Sequence, residues 1–293
     1  MIRQTVICLT AVPPRFNLLQ PTLHSLTKQS LQPREVRLYI PRYYRRFPDW
    51  DGSLPAVPAG VTIFRCSDDY GPATKILPAL SSPDCTGVDI LFCDDDHIYH
   101  PDWHASFKEE AVRRPEICIV EQGDSFPDIS DRWRAAERLP RGRFKGKDLS
   151  YQYDRLRSFF GTMPNLNSSG FVDMVAGFAG VLVKPEWFDN EIYDIPDVMW
   201  TVDDPWISGH LERMSVPIWM MAKGNLLERN RSAKVSSLSD FIEFGHNRVA
   251  SDLLVIDYFR ARYGIWPRDA LFDRSQKFRT ATMAALARRR TFD

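Results

Sequence analysis

The chain has 293 residues, of which 44% are hydrophobic, and its 38 basic and 38 acidic residues give a formal net charge of zero. That length allows one large α/β domain or two small ones, and the zero net charge does not favour nucleic acid as a partner. Five scattered cysteines without a CxxC pair indicate a reducing compartment rather than a disulfide framework or a zinc–thiolate site. The short N-terminal apolar stretch and the lack of a long apolar run predict a cytoplasmic protein without a transmembrane segment.

Short apolar runs alternate with helical patterns over residues 1–120. Strands are predicted at Thr5–Thr10, Glu35–Ile40, Val61–Cys66, Val88–Cys93 and Glu116–Glu121. Helices are predicted between them, in the segments LLQPTLHSLTKQS, GPATKILPALSS and PDWHASFKEEAVRRP. This alternation predicts an α/β fold with a mostly parallel central sheet flanked by helices.

Residues 122–170 are rich in Arg, Asp, Pro and Ser and have weak periodicity, which predicts an irregular excursion of loops and short helices. A substrate loop and a tolerated surface insertion both fit this pattern. Order returns at Phe171, with strands predicted in FAGVLVKPEWF and PIWMMA and a helix over Asp203–Ser215. The later segment SLSDFIEFGHNRVASDLLVIDYFRARYG predicts one or two amphipathic helices, so the C-terminus is expected to be helical.

Three consecutive aspartates follow the fourth predicted strand, in the segment VDILFCDDDHIYHPDW. Neighbouring carboxylates repel one another, and partly buried ones need a partner. Ligands bind at the carboxyl ends of strands in open α/β sheets. If the extended conformation continues, Asp94 and Asp96 lie on the same side and form an oxygen site suited to Mg²⁺ or Mn²⁺. The alternative is an acidic turn in which one aspartate caps the next helix.

A buried strand that ends in Asp-x-Asp resembles the GT-A fold glycosyltransferases, here of the family-2 type. Four other segments agree with that resemblance in order and rough spacing: VICLTAVPPRF, LHSLTKQSLQPREVRLYIP, RCSDDYGPATKILPAL and WTVDDPWISGHLERMSVP. The resemblance implies a single Rossmann-like GT-A domain over residues 1–293. It would consist of a nucleotide-sugar-binding half (1–120), an acceptor and catalytic half that contains the irregular insertion (121–230) and a helical C-terminal segment (231–293).

The resemblance also implies a nucleoside-diphosphate sugar as donor and Mn²⁺ or Mg²⁺ as cofactor. The residues that it assigns to the nucleotide sugar are Thr10, Ala11, Val12, Arg15, Asp68, Asp69, Lys75, Asp94 and Asp95. Those that it assigns to the metal are Asp94, Asp96 and His246. Arg15 would pair with a phosphate, and one of the carboxylates of Asp68 and Asp69 would accept a hydrogen bond from the base. Rigid or solvated turns are the alternative for these loop residues.

The acceptor hydroxyl of such a reaction needs a general base. Asp203 and Asp204 are adjacent acids at a predicted helix start, and such a pair can push one pKa upward, which suits a base. By its match with the family's later acidic motif, Asp204 is the expected base, and Asp203 would position the acceptor. The alternative is a helix N-cap followed by Pro205 in the first turn.

The sequence therefore predicts a metal-dependent, inverting glycosyltransferase that favours a UDP-sugar, because a diphosphate leaving group needs its charge neutralised. A carbohydrate or a lipid-linked molecule would be the acceptor. A metal-dependent phosphohydrolase or nucleotidyltransferase and a non-catalytic nucleotide-sugar-binding domain are the alternatives, although the sequence has no GxxxxGK[ST] or GxGxxG motif. The basic end ALARRRTFD would suit peripheral contact with the inner face of a membrane, and a solvated helix end is the other interpretation.

Overall fold

The structure, a computed structural model, describes residues 3–129, 131, 134–144, 167–222, 227–230, 232, 235–236, 241–242, 244–268 and 278–289. Its strands are β1 (Thr5–Thr10), β2 (Glu35–Pro41), β3 (Val61–Cys66), β4 (Asp89–Phe92), β5 (His97–Tyr99), β6 (Cys118–Val120), β7 (Gly123–Asp124), β8 (Arg143–Phe144), β9 (Asn167–Ser168), β10 (Gly170–Val172), β11 (Met174–Val175), β12 (Val181–Val183), β13 (Ile218–Met220) and β14 (Leu227–Arg229).

The α-helices are α1 (Gln20–Thr27), α2 (Leu77–Leu80), α3 (Trp103–Arg113), α4 (Asp204–Arg213), α5 (Arg248–Tyr263) and α6 (Ala281–Arg288). Short 3₁₀ helices occupy Pro13–Leu18, Gly71–Lys75, Pro83–Cys85, Ala136–Arg138, Gly177–Ala179, Pro185–Trp187, Asn190–Tyr193 and Asp197–Met199. None of the helices in the described ranges has the length and apolar character needed to cross a bilayer.

Eight of the strands form one sheet in the order β10-β13-β6-β12-β4-β1-β2-β3. Parallel ladders join β1 to β2 and β4, β2 to β3, and β6 to β13. Antiparallel ladders join β12 to β4 and β6, and β10 to β13. Six strands therefore point in one direction, and β10 and β12 point in the other. This confirms the predicted α/β fold with a mostly parallel central sheet flanked by helices.

The pleat of β1 explains why the sheet is covered on both faces. Successive side chains of a strand point to opposite faces. Val6 and Cys8 accordingly belong to one apolar core, and Ile7 and Leu9 belong to the other. The first core contains residues of α4 and α5, and the second contains residues of α1 and α3. A strand buried on both faces has to be apolar along its whole length, as the segment Thr5–Thr10 is.

Close packing of α4 against α5 brings two parts of the chain together that are far apart in the sequence. A Cβ atom on Gly209 of α4 would lie 2.4 Å from the ring of Phe259 of α5, so the two helices approach at a point where no side chain fits. The first turns of α4 and α5, which start at Asp204 and Arg248, are thereby held near each other.

Several predicted boundaries agree with the structure, and some differ. β1 and β3 have the predicted bounds, but β4 ends at Phe92, and Asp95 and Asp96 lie in a turn that leads into β5. The strand therefore does not continue through the aspartates, and the condition under which Asp94 and Asp96 were expected to lie on the same side is not met. The predicted C-terminal amphipathic segment contains the helix Arg248–Tyr263; before it, residues 241–242 and 244–247 are not helical, and residues 237–240 and 243 lie outside the described residues. Residues 145–166 of the predicted excursion also lie outside them.

Candidate active site

A cavity lies where the parallel strands β1, β2, β3 and β4 reach their carboxyl ends. The loops after these strands line it with eight residues that the sequence singled out: Thr10, Ala11, Val12, Arg15, Asp69, Asp94, Asp95 and Asp96. Other residues that line it include Tyr44, Arg46, Phe47, Trp200 and Arg248. The cavity thus combines aromatic rings, which suit a flat base, with arginines, which suit phosphate.

The carboxylate of Asp94 is paired with an ammonium of the protein itself. Lys75 Nζ lies 2.6 Å from Asp94 Oδ1 and 2.7 Å from Asp203 Oδ2, so one cation bridges the two acidic motifs. The side chain of Lys75 is only 3% exposed. Burial alone would lower the pKa of this ammonium, but the charges of Asp203 and Asp94 raise it above its ordinary value. Lys75, which was predicted to bind the nucleotide sugar, is not among the residues that line the cavity and pairs with one aspartate of each acidic motif.

The other two aspartates of the run also contact basic side chains. Arg15 Nη1 donates to Asp95 Oδ1 at 2.6 Å and lies 3.6 Å from Asp96 Oδ2. His97 Nδ1 lies 2.6 Å from Asp96 Oδ1. Burial raises the pKa of Asp95 to about 7 against the opposing charge of Arg15. For Asp96, burial acts in the same direction, but the contacts with His97 and Arg15 outweigh it and lower the pKa.

The acidic pair at the start of α4 does not act as a helix cap. Asp203 occupies the N-cap position but makes no side-chain capping hydrogen bond, since its carboxylate contacts Lys75. Asp204 Oδ1 accepts a hydrogen bond from the backbone N–H of Gly177 at 2.8 Å, and Asp204 Oδ2 lies 3.5 Å from Arg248 Nη2. Both carboxylates thus face away from the free backbone amides of α4, and the capping interpretation fails.

The environment of Asp204 changes its proton affinity. Burial, together with the charge of the adjacent Asp203, raises the pKa of Asp204 to about 7 against the opposing charges of Lys75 and Arg248. Gly177 permits this arrangement, because a Cβ atom there would lie 2.6 Å from Lys75 Nζ and 2.9 Å from Asp204 Oδ1. An acid with a pKa near neutrality, fixed by a backbone N–H, is suited to accept a proton.

The remaining predicted site residues occupy different surroundings. The Asp69 carboxylate accepts from the backbone N–H groups of Arg45 and Gly71, at 2.8 and 2.9 Å, and burial raises its pKa. Asp68 is exposed and accepts from Ser67 at 2.5 Å. Of these two acids, Asp69 lines the cavity. Its carboxylate also shapes the turn that ends at Gly71.

The first loop is held by contacts with the neighbouring strand. Thr10 Oγ1 donates to the backbone oxygen of Tyr39 at 2.8 Å, and the Tyr44 hydroxyl donates to that of Ala11 at 2.6 Å. Arg15 Nε donates to the backbone oxygen of Val235 at 2.7 Å. These contacts fix the first loop at the edge of the cavity. The bond to Val235 also connects this loop to the C-terminal part of the chain.

The donor set of the aspartate run fits a divalent cation that is shared with a substrate. Asp94 is 33% exposed, and its Oδ2 has no hydrogen-bond partner among the described residues. Mg²⁺ is commonly held by one or two carboxylates together with substrate phosphates. Across the described ranges, no three His, Cys, Asp or Glu side chains cluster closely enough to hold a metal ion alone. His246 Nδ1 lies 2.9 Å from the backbone oxygen of Phe244, and its metal role stays a prediction.

Arg248, which sequence reasoning missed, lies 3.5 Å from Asp204 and lines the same cavity as the aspartate run. It lies 44 positions after Asp204, at the first position of α5, and reaches both the cavity and the Asp204 carboxylate. An arginine at a helix start has no local pattern that distinguishes it from a solvated one. The aromatic residues Tyr44, Phe47 and Trp200 were missed for the same reason, since rings in loops do not reveal which cavity they line.

Comparisons with known proteins found no matching family model and no matching curated protein. Among solved structures, GalNAc-T7 with UDP, GalNAc and Mn²⁺ matches with a TM-score of 0.44 and 15% identity, over 75% of this chain and 42% of that one. Residues 1–349 of S. aureus TarS in complex with UDP match with a TM-score of 0.41 and 10% identity, over 76% of this chain and 59% of that one. The chain spans less than two thirds of either protein, and similarity at this level carries no inference about activity.

Proposed function

We propose that the chain is a glycosyltransferase that moves a sugar from a nucleoside-diphosphate sugar to a hydroxyl group of a carbohydrate or lipid-linked acceptor, with inversion at the anomeric carbon. The observation that carries this proposal is Asp204. Its carboxylate has a pKa of about 7, is held by Gly177 N–H, and is joined through Arg248 to a cavity at the strand ends that contains phosphate-binding side chains. A base next to a diphosphate site is the arrangement that glycosyl transfer to a hydroxyl requires.

The chemical step is a displacement in which Asp204 takes the proton. The acceptor oxygen attacks the anomeric carbon, and the bond from that carbon to the phosphate oxygen breaks with its electron pair leaving on the nucleoside diphosphate. The hydroxyl proton moves to the Asp204 carboxylate. Asp203, whose carboxylate is paired with Lys75 at 2.7 Å, would position the acceptor. Arg15 and Arg248, which both line the cavity, offset the negative charge that develops on the leaving group.

A divalent ion fits this scheme at Asp94 and Asp96. When bound there, Mn²⁺ or Mg²⁺ would supply Lewis-acid stabilisation of the diphosphate. The basic partners of the two aspartates hold them in place for this role, since Lys75 and His97 each contact one oxygen of a carboxylate. A nucleoside diphosphate, with UDP favoured, is proposed as the carrier because its phosphates would supply further oxygen ligands to an ion held by Asp94 and Asp96.

The test is a panel of nucleotide sugars incubated with Mn²⁺, with and without simple sugar acceptors, and read by proton NMR. We expect release of UDP with transfer to an acceptor, and slow hydrolysis without one, with the anomeric configuration inverted in the product. Retention of configuration would refute the direct role of Asp204. Failure of every nucleoside-diphosphate sugar to react, together with binding of CMP alone in a thermal-shift assay, would refute the proposed donor class.

A further inference from the structure

Arg248 occupies a position between the proposed base and the proposed phosphate site. Its Nη2 lies 3.5 Å from Asp204 Oδ2, and its side chain also lines the cavity that contains Asp94, Asp95 and Asp96. A distance of 3.5 Å is longer than the 2.7–3.2 Å of an N–H···O hydrogen bond. The side chain is 36% exposed, so it has room to take another position. The contact with Asp204 is therefore a loose ion pair.

The other two cations near the acids are held much more firmly. Arg15 makes a 2.6 Å bond to Asp95 and donates to a backbone oxygen with its Nε, and Lys75 is buried between two carboxylates. Moving either of them would leave a buried carboxylate without its partner, which is costly. Of these three cations, Arg248 has the longest distance to its carboxylate. It can move away from Asp204 without displacing it, because Gly177 N–H continues to hold that carboxylate at 2.8 Å.

A bound diphosphate would compete strongly for this guanidinium. It carries more negative charge than one carboxylate, and arginine pairs with phosphate through two parallel hydrogen bonds. Since Arg248 already lines the cavity, a change of side-chain rotamer is sufficient to exchange one partner for the other.

We propose that Arg248 is a shared positioning residue, which pairs with Asp204 in the empty site and turns to the phosphates of the donor when the donor binds. This inference rests on the proposed function and extends it to the regulation of the same site. Asp204 then loses its opposing charge at the moment when the donor is in place, so the base becomes competent only in the loaded enzyme. Asp203 keeps its ion pair with Lys75 in both states, because Lys75 is buried and does not move.

The test is a double-mutant cycle on the binding of UDP, measured by calorimetry with Mn²⁺ at pH 8 for the wild type, Asp204→Asn, Arg248→Gln and the double variant. In the wild type, Asp204 competes with UDP for Arg248. We therefore expect Asp204→Asn to bind UDP about two- to fivefold more tightly, which corresponds to the loss of a partly exposed ion pair. In the Arg248→Gln background, the same substitution should leave the Kd of UDP unchanged.

Two controls separate this effect from a general change in electrostatic potential. Uridine, which has no phosphate, should bind all four proteins with the same affinity. Asp257→Asn removes another carboxylate of α5, to which Arg268 and Arg289 donate at 2.7 and 2.6 Å, and should leave UDP binding at the wild-type level. Arg248→Lys, which keeps the charge without the two-pronged geometry, gives a second cycle in which a smaller coupling is expected.

Equal tightening by Asp204→Asn in both backgrounds would overturn the sharing of Arg248, because the effect would then not pass through the guanidinium. An unchanged UDP affinity in Asp204→Asn would overturn it as well. Both results leave the proposed function intact, since UDP still binds. Absence of UDP binding by the wild type would instead refute the proposed function, and the inference would fall with it.

Discussion

The acidic run Asp94–Asp96 and the acidic pair Asp203–Asp204 lie on opposite sides of Lys75 and differ in how their charge is balanced. In the run, each carboxylate has a basic partner within 2.6 Å, supplied by Lys75, Arg15 or His97. In the pair, Asp203 takes the second contact of Lys75, and Asp204 has a backbone N–H and a cation at 3.5 Å.

This difference does not set the proton affinity by itself. Contacts with His97 and Arg15 outweigh burial and lower the pKa of Asp96, whereas burial raises the pKa of Asp95 to about 7 although Arg15 lies 2.6 Å away. Asp204, which is buried beside another acid and has only a distant cation, also has its pKa raised to about 7. The balance of burial, neighbouring acids and cations therefore decides which carboxylate holds its charge and which can exchange a proton.

The largest expected effect is a loss of transfer activity when Asp204 is replaced. Asp204→Asn keeps the size of the side chain and its ability to accept from Gly177 N–H, but it cannot take a proton. We expect transfer to an acceptor to fall by about 10²–10⁴-fold, with nearly unchanged melting temperature and UDP binding that is no weaker. Steady-state kinetics and a thermal melt of the same preparation measure both quantities.

Asp203→Asn serves as the matched variant for this prediction. It changes the adjacent acid, which contacts Lys75 rather than Gly177, and should reduce transfer less than Asp204→Asn does. If Asp203→Asn is inactive while Asp204→Asn transfers at the wild-type rate, the roles within the pair are reversed. If both variants stay active, the inverting mechanism at the start of α4 is wrong.

The second effect removes the cation that joins the two regions. Lys75→Met leaves the carboxylates of Asp94 and Asp203 without their ammonium, and we expect a loss of about 3–5 kcal/mol in the free energy of unfolding, as when one partner of a buried ion pair is removed. Urea unfolding measures it. Lys184→Met is the control: Lys184 Nζ lies 2.8 Å from Glu116, which is exposed, so about 0–1 kcal/mol is expected. Equal losses in the two variants would show that Lys75 has no special role.

The two regions also differ in how far the sequence predicted them. The strand Thr5–Thr10 was predicted with its correct bounds because a strand buried on both faces is apolar throughout. The geometry of the aspartates was not predicted correctly. The strand ends at Phe92, and the side chains of Asp95 and Asp96 contact Arg15 and His97. A strand end depends on contacts with distant parts of the chain, which no local pattern records.

The same reasoning applies to the cations that pair with the acids of the site. Lys75 was singled out in the sequence, but its position joins Asp94 and Asp203, which are 109 positions apart (203 minus 94). Arg248 was missed altogether, because its role follows from the packing of α5 on α4 at Gly209. Individual acids and their chemical types were therefore predictable, whereas the cations that decide their roles were set by tertiary structure.

A pH profile sharpens the comparison between Asp204 and Asp95, since burial raises both pKa values to about 7. A general base works in its unprotonated form, so kcat/KM should be constant above pH 7 and fall about tenfold for each unit below it. Arg248 lowers the pKa of Asp204, and Arg15 lowers that of Asp95. Arg248→Gln should therefore move the acid limb to higher pH if the limb belongs to Asp204. An unmoved limb would assign the titration to another group.

The smallest expected effect is on metal-dependent binding of UDP at the run Asp94–Asp96, where a metal ion is proposed to bind. Asp96→Ala removes one of the two carboxylates proposed to hold the ion, and relieves repulsion within the run, so the fold should persist. Loss of a group at a metal site lowers metal affinity by at least about tenfold, and because the diphosphate shares the ion, UDP affinity in Mn²⁺ should fall by a similar factor. Calorimetric titration of UDP with Mn²⁺, and again with EDTA, measures the metal-dependent part.

Asp68→Ala is the matched change for Asp96→Ala, because Asp68 is an exposed acid near the same strand ends that contacts Ser67 and does not line the cavity. It should leave UDP affinity unchanged both with Mn²⁺ and with EDTA. If Asp96→Ala binds UDP as tightly as the wild type in Mn²⁺, the run is no metal site. Lys75 and Arg15 would then offset its charge without any added cation, and the two acidic regions would differ only in how close their basic partners lie.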